Sequence, residues 1–256
     1  MLDDDQLTRY ARQVILPEFG EENQERLLGS SVLVIGAGGL GAPLIQYLAA
    51  AGIGRLRIVD DDKVELTNLN RQVTHTTSRI GSAKANSAAA MVEALNPDCV
   101  VEPIITRFTE DTAADLIAGM DVIADCSDTP ETRYRVNDAA HRKSVPVVFG
   151  GAVRMEGQIT TFASGRDPSS PCFRCVFPQT AGHDLAPRCS EAGILGPVTG
   201  VIGTMMAMEV LKQCLLPETP LGKGLVGRLM LYDARGQSFM PIKINPRPDC
   251  PLCSGG

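Results

Sequence analysis

Four groups of residues in this chain have the types and spacings that chemistry requires. The first is Gly36-Ala37-Gly38-Gly39-Leu40-Gly41, where small residues let backbone N–H groups approach an anion such as a phosphate. Asp60 follows at the distance expected of an acid that takes ribose hydroxyls. The second is a pair of cations, Arg71 within Asn68-Leu69-Asn70-Arg71-Gln72 and Lys84 within Gly81-Ser82-Ala83-Lys84. The third is Asp128, in Asp125-Cys126-Ser127-Asp128, just beyond a strand end where ligands of parallel sheets collect. The fourth is two Cys-x-x-Cys pairs, Cys172/Cys175 and Cys250/Cys253. A spacing of two residues lets both thiolates of a pair turn toward one ion, and two pairs complete a tetrahedral zinc site with no open position. Such a site is structural rather than catalytic; the alternative is two redox or inert pairs.

Phosphate binding requires the glycine run to lie between a strand and a helix. Ser31–Ile35 is a short β-branched apolar run, residues 40–51 carry a continuous helical apolar pattern, and residues 56–60 form a second buried strand. In such a unit Gly36 permits the tight turn, Gly38 lets N–H groups approach a phosphate, and Gly41 lets the helix pack closely, its positive end facing the anion. A loop over 61–78 follows, then a helix over 81–95 closed by Asn96-Pro97, a strand over 100–105, a helix over 109–119, a strand over 121–125 and a helix over 130–143. The second half changes character. Strands over 145–153 and 158–163 flank a turn at Glu156-Gly157, and strands over 227–233 and 238–244 flank a turn at 234–236. Between them, residues 196–215 form an apolar helix whose Met205, Met206 and Met208 are expected in core or subunit packing. The expected class is α/β: a Rossmann-like βαβ nucleotide-binding half, residues 1–150, continuing into a mixed sheet with antiparallel strands, residues 151–256, in a single domain.

With 256 residues, 44% hydrophobic and 21% charged, the chain can bury a substantial core. A formal charge of −6 and a pI near 5.2 favour neither nucleic acid nor an anionic membrane as partner. The start, Met1-Leu2-Asp3-Asp4-Asp5, is acidic, no secretory signal is expected, and no apolar stretch reaches the ~18 residues of a membrane span. A cytoplasmic location is expected. With no signal expected, the cysteine pairs point to metal rather than disulfides.

At Asp60-Asp61-Asp62, Asn68 to Gln72, Gly81 to Lys84 and Asp125 to Asp128, and from Arg9-Tyr10-Ala11-Arg12-Gln13 to the last cysteine pair, the chain resembles the MoeB/ThiF/HesA adenylyltransferases, bacterial relatives of the ubiquitin-activating enzymes. The resemblance implies ATP-dependent adenylation of the C-terminal glycine carboxylate of a ubiquitin-like sulfur carrier ending in Gly-Gly, with release of pyrophosphate, in molybdopterin or thiamine biosynthesis. It further implies that Asn68, Arg71 and Lys84 hold the phosphates, that Asp60 holds the ribose, and that Asp128 binds Mg²⁺. The nucleotide set is completed by Gly36, Gly38, Gly39, Gly41, Gln72 and Thr129, with Arg12 reaching from the partner subunit of a homodimer. On this resemblance residues 151–256 are the carrier-binding and zinc half. Asn70 stands where relatives often have Gln, and Thr129 where many have Asn. The Gly151 to Gln158 segment is closer to the molybdopterin branch, while Asp60-Asp61-Asp62 also occurs in the thiamine branch, so the carrier stays open. No rhodanese-like domain is expected to follow, and the expected sulfur donor is a separate cysteine desulfurase or rhodanese.

Each site residue also has an ordinary explanation. Arg71 could pair with the Asp60-Asp61-Asp62 cluster, Lys84 could be a solvated lysine at a helix start, and Asp128 could cap the helix before Thr129-Pro130. Cys189 follows Arg188 in a polar stretch; its thiolate could attack an acyl-adenylate or a persulfide, or it could be a plain loop cysteine. Cys99, Cys126 and Cys214 read as small buried hydrophobes. His75, His141 and His183 lack ligand spacing and read as structural or surface residues. The terminal Ser254-Gly255-Gly256 reads as a tail. Two rival functions use the same glycine turn, an NAD(P)-dependent oxidoreductase and a non-catalytic nucleotide-binding scaffold.

Overall fold

Short β-branched runs buried on both faces form the centre of the sheet. In the computed structural model, which describes residues 1–178, 192–217 and 219–254, β1 (Ser31–Ile35) and β4 (Val122–Asp125) are buried along their whole length. They pair in parallel. The described residues form one eight-stranded sheet in the order β3-β2-β1-β4-β5-β6-β7-β8, with β2 Arg55–Val59, β3 Val100–Ile104, β5 Val147–Val153, β6 Glu156–Phe162, β7 Arg228–Asp233 and β8 Ser238–Lys243. Strands β1 to β5 run parallel, and β6, β7 and β8 add antiparallel. The chain leaves β1 toward one side and β4 toward the other, so the loops after these two strands open a crevice at the strands' C-terminal ends. Both edge strands contain proline, Pro103 in β3 and Pro241 in β8.

Ahead of β1 the structure holds something the sequence reading lacked, a pair of helices, α1 (Asp4–Val14) and α2 (Gly20–Leu28). Helix α1 starts at a capping box in which Asp3 accepts from the Gln6 N–H at 2.8 Å and Gln6 accepts from the Asp3 N–H at 3.3 Å. Its Tyr10 is buried against Gly52, at the C-terminal end of α3 (Gly41–Ala51), and accepts from Asn96 at 2.9 Å. Eleven helical residues span roughly 16 Å. Helix α1 therefore packs at the end of α3 remote from the glycine run.

The remaining helices are α4 (Lys84–Leu95), α5 (Glu110–Ile117), α6 (Pro130–Lys143), the short α7 (Phe173–Val176) and α8 (Gly196–Cys214). Helix α4 begins three residues later than the sequence suggested, with Lys84 its first residue. The turn expected at Glu156-Gly157 lies instead at Arg154-Met155, where Arg154 takes the left-handed φ of 54°. Gly157 belongs to β6, and its role is close packing: a Cβ there would lie 2.4 Å from Ile202 of α8. Met206 of the same helix is fully buried in the main core, whereas Met208 is exposed.

A Cβ on Gly41 would lie 2.0 Å from the Gly36 carbonyl oxygen, a backbone atom that cannot move aside, while one on Gly200 of α8 would meet nothing within 4 Å. Gly41→Ala is expected to destabilise the fold by about 1–3 kcal/mol or more and Gly200→Ala to stabilise it by about 0.5–1 kcal/mol, measured by chemical denaturation. Equal effects would contradict this packing.

Candidate functional site

The glycine run forms the turn between β1 and α3, with Gly36 at φ +92°. Ala37 donates its N–H to Asp60 Oδ2 at 2.7 Å, and Asp60 Oδ1 accepts from the Asp62 N–H at 2.9 Å. Burial raises the Asp60 carboxyl above its ordinary range, opposed by the Ala37 N–H and by the charge of Lys84. Gln72 is buried beside the loop, its Nε2 3.6 Å from where a Gly38 Cβ would stand, and its Oε1 has no hydrogen-bond partner among the described residues. Gly39 faces Thr199 of α8.

Lys84 is only 6% exposed, and its Nζ donates to Asp62 Oδ2 at 2.8 Å, so it is not a solvated helix-start lysine. Its charge reaches Asp60 directly. Arg71 does not join the Asp60-Asp61-Asp62 cluster through any hydrogen bond between described residues; it donates to the Thr67 carbonyl at 3.0 Å and to Asn70 Oδ1 at 3.1 Å. Arg107 takes Asp61 instead, at 2.6 Å. Asn68 is buried and its Oδ1 accepts from the Glu65 N–H at 3.1 Å.

Asp128 is exposed and does not cap α6, whose N-cap is Thr129. Thr129 uses its hydroxyl on Thr132 at 2.7 Å. The loop carrying Asp128 lies directly against the glycine turn, since a Gly36 Cβ would stand 3.0 Å from the Cys126 carbonyl oxygen. Asp128 borders a cavity of about 740 Å³ that Arg133, Phe149, Gly151, Tyr232 and Met240 help to line. The sequence reading missed Arg133. It donates to the Ser127 carbonyl at 2.8 Å and lies 4.7 Å over the Phe149 ring. Its position in the first turn of α6, one turn after Asp128, was the signal available. Asp125, wholly buried at the end of β4, has a carboxyl raised by desolvation, with Arg133 and Ser127 opposing the rise.

The four cysteines meet. Their Sγ atoms all lie within 4.8 Å of one another, with separations of 3.5 Å for Cys172 to Cys250, 3.8 Å for Cys172 to Cys175 and 3.3 Å for Cys175 to Cys253. Four sulfurs about 2.3 Å from one tetrahedral ion would be about 3.8 Å apart, so the cluster fits such an ion with little adjustment. Burial opposes ionisation of Cys250, but the N–H groups of Cys253 and Leu252 together with the Cys253 and Cys172 thiols outweigh it and bring that thiol down to about 7. Cys99 and Cys126 are buried and Cys214 half-buried. Arg12 stands exposed in the last turn of α1 and is not brought to the glycine loop of its own chain. Cys189, His183 and Gly255-Gly256 lie outside the described residues. No described helix is long and apolar enough to cross a membrane.

A glycine turn, a strand-end acid and a buried lysine at the crevice of a parallel sheet define a nucleotide-binding α/β protein. Residues 10–252 match the ThiF family, and the chain belongs to it. It is 46% identical over 255 residues to the "SAMP-activating enzyme E1" of Haloferax volcanii, covering 100% of this chain and 92% of that protein. It is 44% identical to the "Sulfur carrier protein adenylyltransferase" of Thermus thermophilus, covering 97% and 91%. To the "Adenylyltransferase and sulfurtransferase MOCS3" of Sus scrofa it is 47% identical over 98% of this chain and 54% of that protein, about half its length. Among solved structures it is similar to PaaA, with a TM-score of 0.79, 25% identity and coverage of 95% and 75%. The fold is also that of Escherichia coli MccB, with a TM-score of 0.81 at 22% identity, covering 96% of this chain and 74% of that one.

The cysteine geometry predicts one tightly held metal ion per chain. Cys172→Ser, which leaves three ligands, is expected to release the metal and lower the melting temperature, because binding to the folded site is coupled to folding. Elemental analysis finding no metal, with all four thiols titrating in the native state, would contradict this.

Proposed function

We propose that this protein uses ATP to adenylate the C-terminal glycine carboxylate of a small ubiquitin-like sulfur carrier, releasing pyrophosphate. The observation that carries the reading is that the loop from Cys126 to Asp128 touches the glycine turn at Cys126 and borders the 740 Å³ cavity at Asp128. A nucleotide held on the loop and a peptide carboxylate entering through the cavity meet beside this residue. Membership of the ThiF family and relatives named for adenylyl transfer support the same chemistry and count against the nicotinamide-dependent oxidoreductase and the non-catalytic scaffold.

Carboxylate and triphosphate are both anions, and their repulsion must be offset before the carboxylate oxygen can attack the α-phosphorus and expel pyrophosphate. In the proposed assignment Asp60 takes the ribose, the loop from Gly36 to Gly41 offers its N–H groups to the phosphates, and Asn68, Arg71 and Lys84 supply polar and positive contacts, with Gln72 and Thr129 at the margins. The ion pair of buried Lys84 with exposed Asp62 supports this, because it keeps a cation near Asp60. Asp128 is assigned to Mg²⁺, which when bound neutralises phosphate charge during the transfer. The carrier's glycine tail is assigned to the cavity, whose wall includes Gly151 and the Arg133 guanidinium.

The four cysteines are assigned to a structural zinc ion, a role that suits a buried, thiol-only set. A homodimer is part of the proposal, with Arg12 of the partner subunit completing each nucleotide site. The packing of α1 at the far end of α3 supports it, since Arg12 then has no use in its own chain's crevice. The sulfur donor is proposed to be a separate cysteine desulfurase or rhodanese, acting on the acyl-adenylate directly or through Cys189.

Asp128→Ala is expected to abolish carrier-dependent ATP–pyrophosphate exchange with the fold intact, and Arg71→Ala to slow it by ~10²–10³, the usual cost of one charge-stabilising group. The assay uses purified molybdopterin-branch and thiamine-branch carriers in turn, with the acyl-adenylate detected by mass spectrometry. Near-normal exchange in both variants would refute the site assignment. Cys189→Ala is expected to leave exchange unchanged, because adenylation needs no thiol; abolished exchange in a folded Cys189→Ala variant would place the thiol in a step where this mechanism has no use for it.

A further inference from the structure

His75 has no part in the reaction as assigned, yet it is buried where three pieces of the nucleotide end meet. Its Nε2 lies 2.9 Å from the Ala37 carbonyl oxygen of the glycine loop, and its Nδ1 lies 2.8 Å from Ser87 Oγ on α4. Its own backbone N–H donates to the Gln72 carbonyl at 3.0 Å, at the end of the segment that carries Asn68 and Arg71. Ser87 follows Lys84 by three residues on α4, so the two share one face of that helix.

The protonation of the ring follows from its partners. Burial pushes the imidazole below its ordinary value; the charges of Lys84 and Arg79 act in the same sense, against the Ala37 carbonyl. A neutral ring carries one N–H. The Ala37 carbonyl can only accept, so that proton is on Nε2, and Nδ1 accepts from the Ser87 hydroxyl.

The hydrogen bond to Ala37 has a geometric result one residue further on. In a trans peptide the C=O and the next N–H point in opposite directions. Drawing the Ala37 carbonyl inward to the buried His75 therefore turns the Gly38 N–H outward, and Gly38 is partly exposed while Ala37 is buried. The peptide on the other side of Ala37 is fixed as well, by its N–H to Asp60 at 2.7 Å. We propose that His75 is a positioning residue for the nucleotide. Through the Ala37 carbonyl it presets the Gly38 N–H as a donor to phosphate, and through Ser87 it ties that peptide to the helix bearing Lys84. The inference rests on the reading of the glycine loop as the ATP site.

Two amides separate positioning from packing. The Asn side chain places its amide near Nδ1, keeping the reach to Ser87 but not to Ala37, whereas the longer Gln side chain can place a donor where Nε2 stands. ATP affinity is measured by calorimetry on the full chain with Mg²⁺, alongside melting without nucleotide. His75→Asn is expected to weaken ATP binding about fivefold to tenfold, the scale of one preset hydrogen bond, and His75→Gln is expected to restore most of it at a similar melting temperature. Ser87→Ala, which keeps the ring and its bond to Ala37 but removes the hydroxyl that Nδ1 accepts from, is expected to weaken binding to a smaller extent. Wild-type ATP affinity in His75→Asn, or equal losses in the Asn and Gln variants that track lowered melting temperatures, would overturn the inference alone. An unaffected Ser87→Ala would overturn the tie to α4. Absence of ATP binding by the wild-type chain would overturn the nucleotide reading and this inference with it.

Discussion

The approach of the Gly36 carbonyl to Gly41 is the constraint on which the nucleotide end of the molecule depends. Only with hydrogen at Gly41 Cα can α3 start this close to the end of β1, and only then does the helix's positive end face the crevice. Once the turn is that tight, Ala37 is left with its N–H facing Asp60 and its carbonyl facing His75. Asp60 thereby orders the loop before any ligand arrives. The same carboxyl is influenced by Lys84, which Asp62 holds in place. One steric fact is thus carried from β1 to α4 through a chain of backbone and side-chain hydrogen bonds.

The antiparallel half of the sheet does different work. Strands β5 to β8 wall the cavity, and their support comes from an aromatic cluster in which Phe173 packs on Tyr134 at 5.1 Å and on Phe149 at 5.2 Å between ring centroids. Phe173 belongs to α7, the one-turn helix that Cys172 precedes and that contains Cys175. Its N–H donates to Asn137 Oδ1 at 2.8 Å, and Arg174 pairs with Asp138 at 2.7 Å. The cysteine cluster therefore anchors one wall of the cavity to α6, the helix that begins beside Asp128.

The sequence made the parallel half legible because its signals are local: a β-branched run, glycines at fixed offsets, an acid at a strand end. Helix α6, residues 130 to 143, follows its proline start and basic end. The four cysteines were legible because their ligand chemistry restricts spacing. Glu156-Gly157 misled for a physical reason, since a glycine needed for contact with Ile202 looks the same in sequence as one needed for a turn. Helices α1 and α2 were missed because their polar surfaces hide the few buried contacts, Tyr10 and Leu27 among them. Arg133 offered only its place one turn after Asp128, and His75 was out of reach because its partner, the Ala37 carbonyl, lies 38 residues away in sequence.

The prolines at the two margins of the sheet, Pro103 and Pro241, carry a consequence for how copies of this chain can associate. An unpaired edge offers a row of donors and acceptors that another strand can zip onto, and β8 adds exposed Phe239, Met240 and Ile242 to that attraction. Each proline removes a donor from its row and stiffens the strand around it, so neither margin is a continuous template for strand addition. Ribbon-like growth through the sheet meets an interrupted row of donors at both ends.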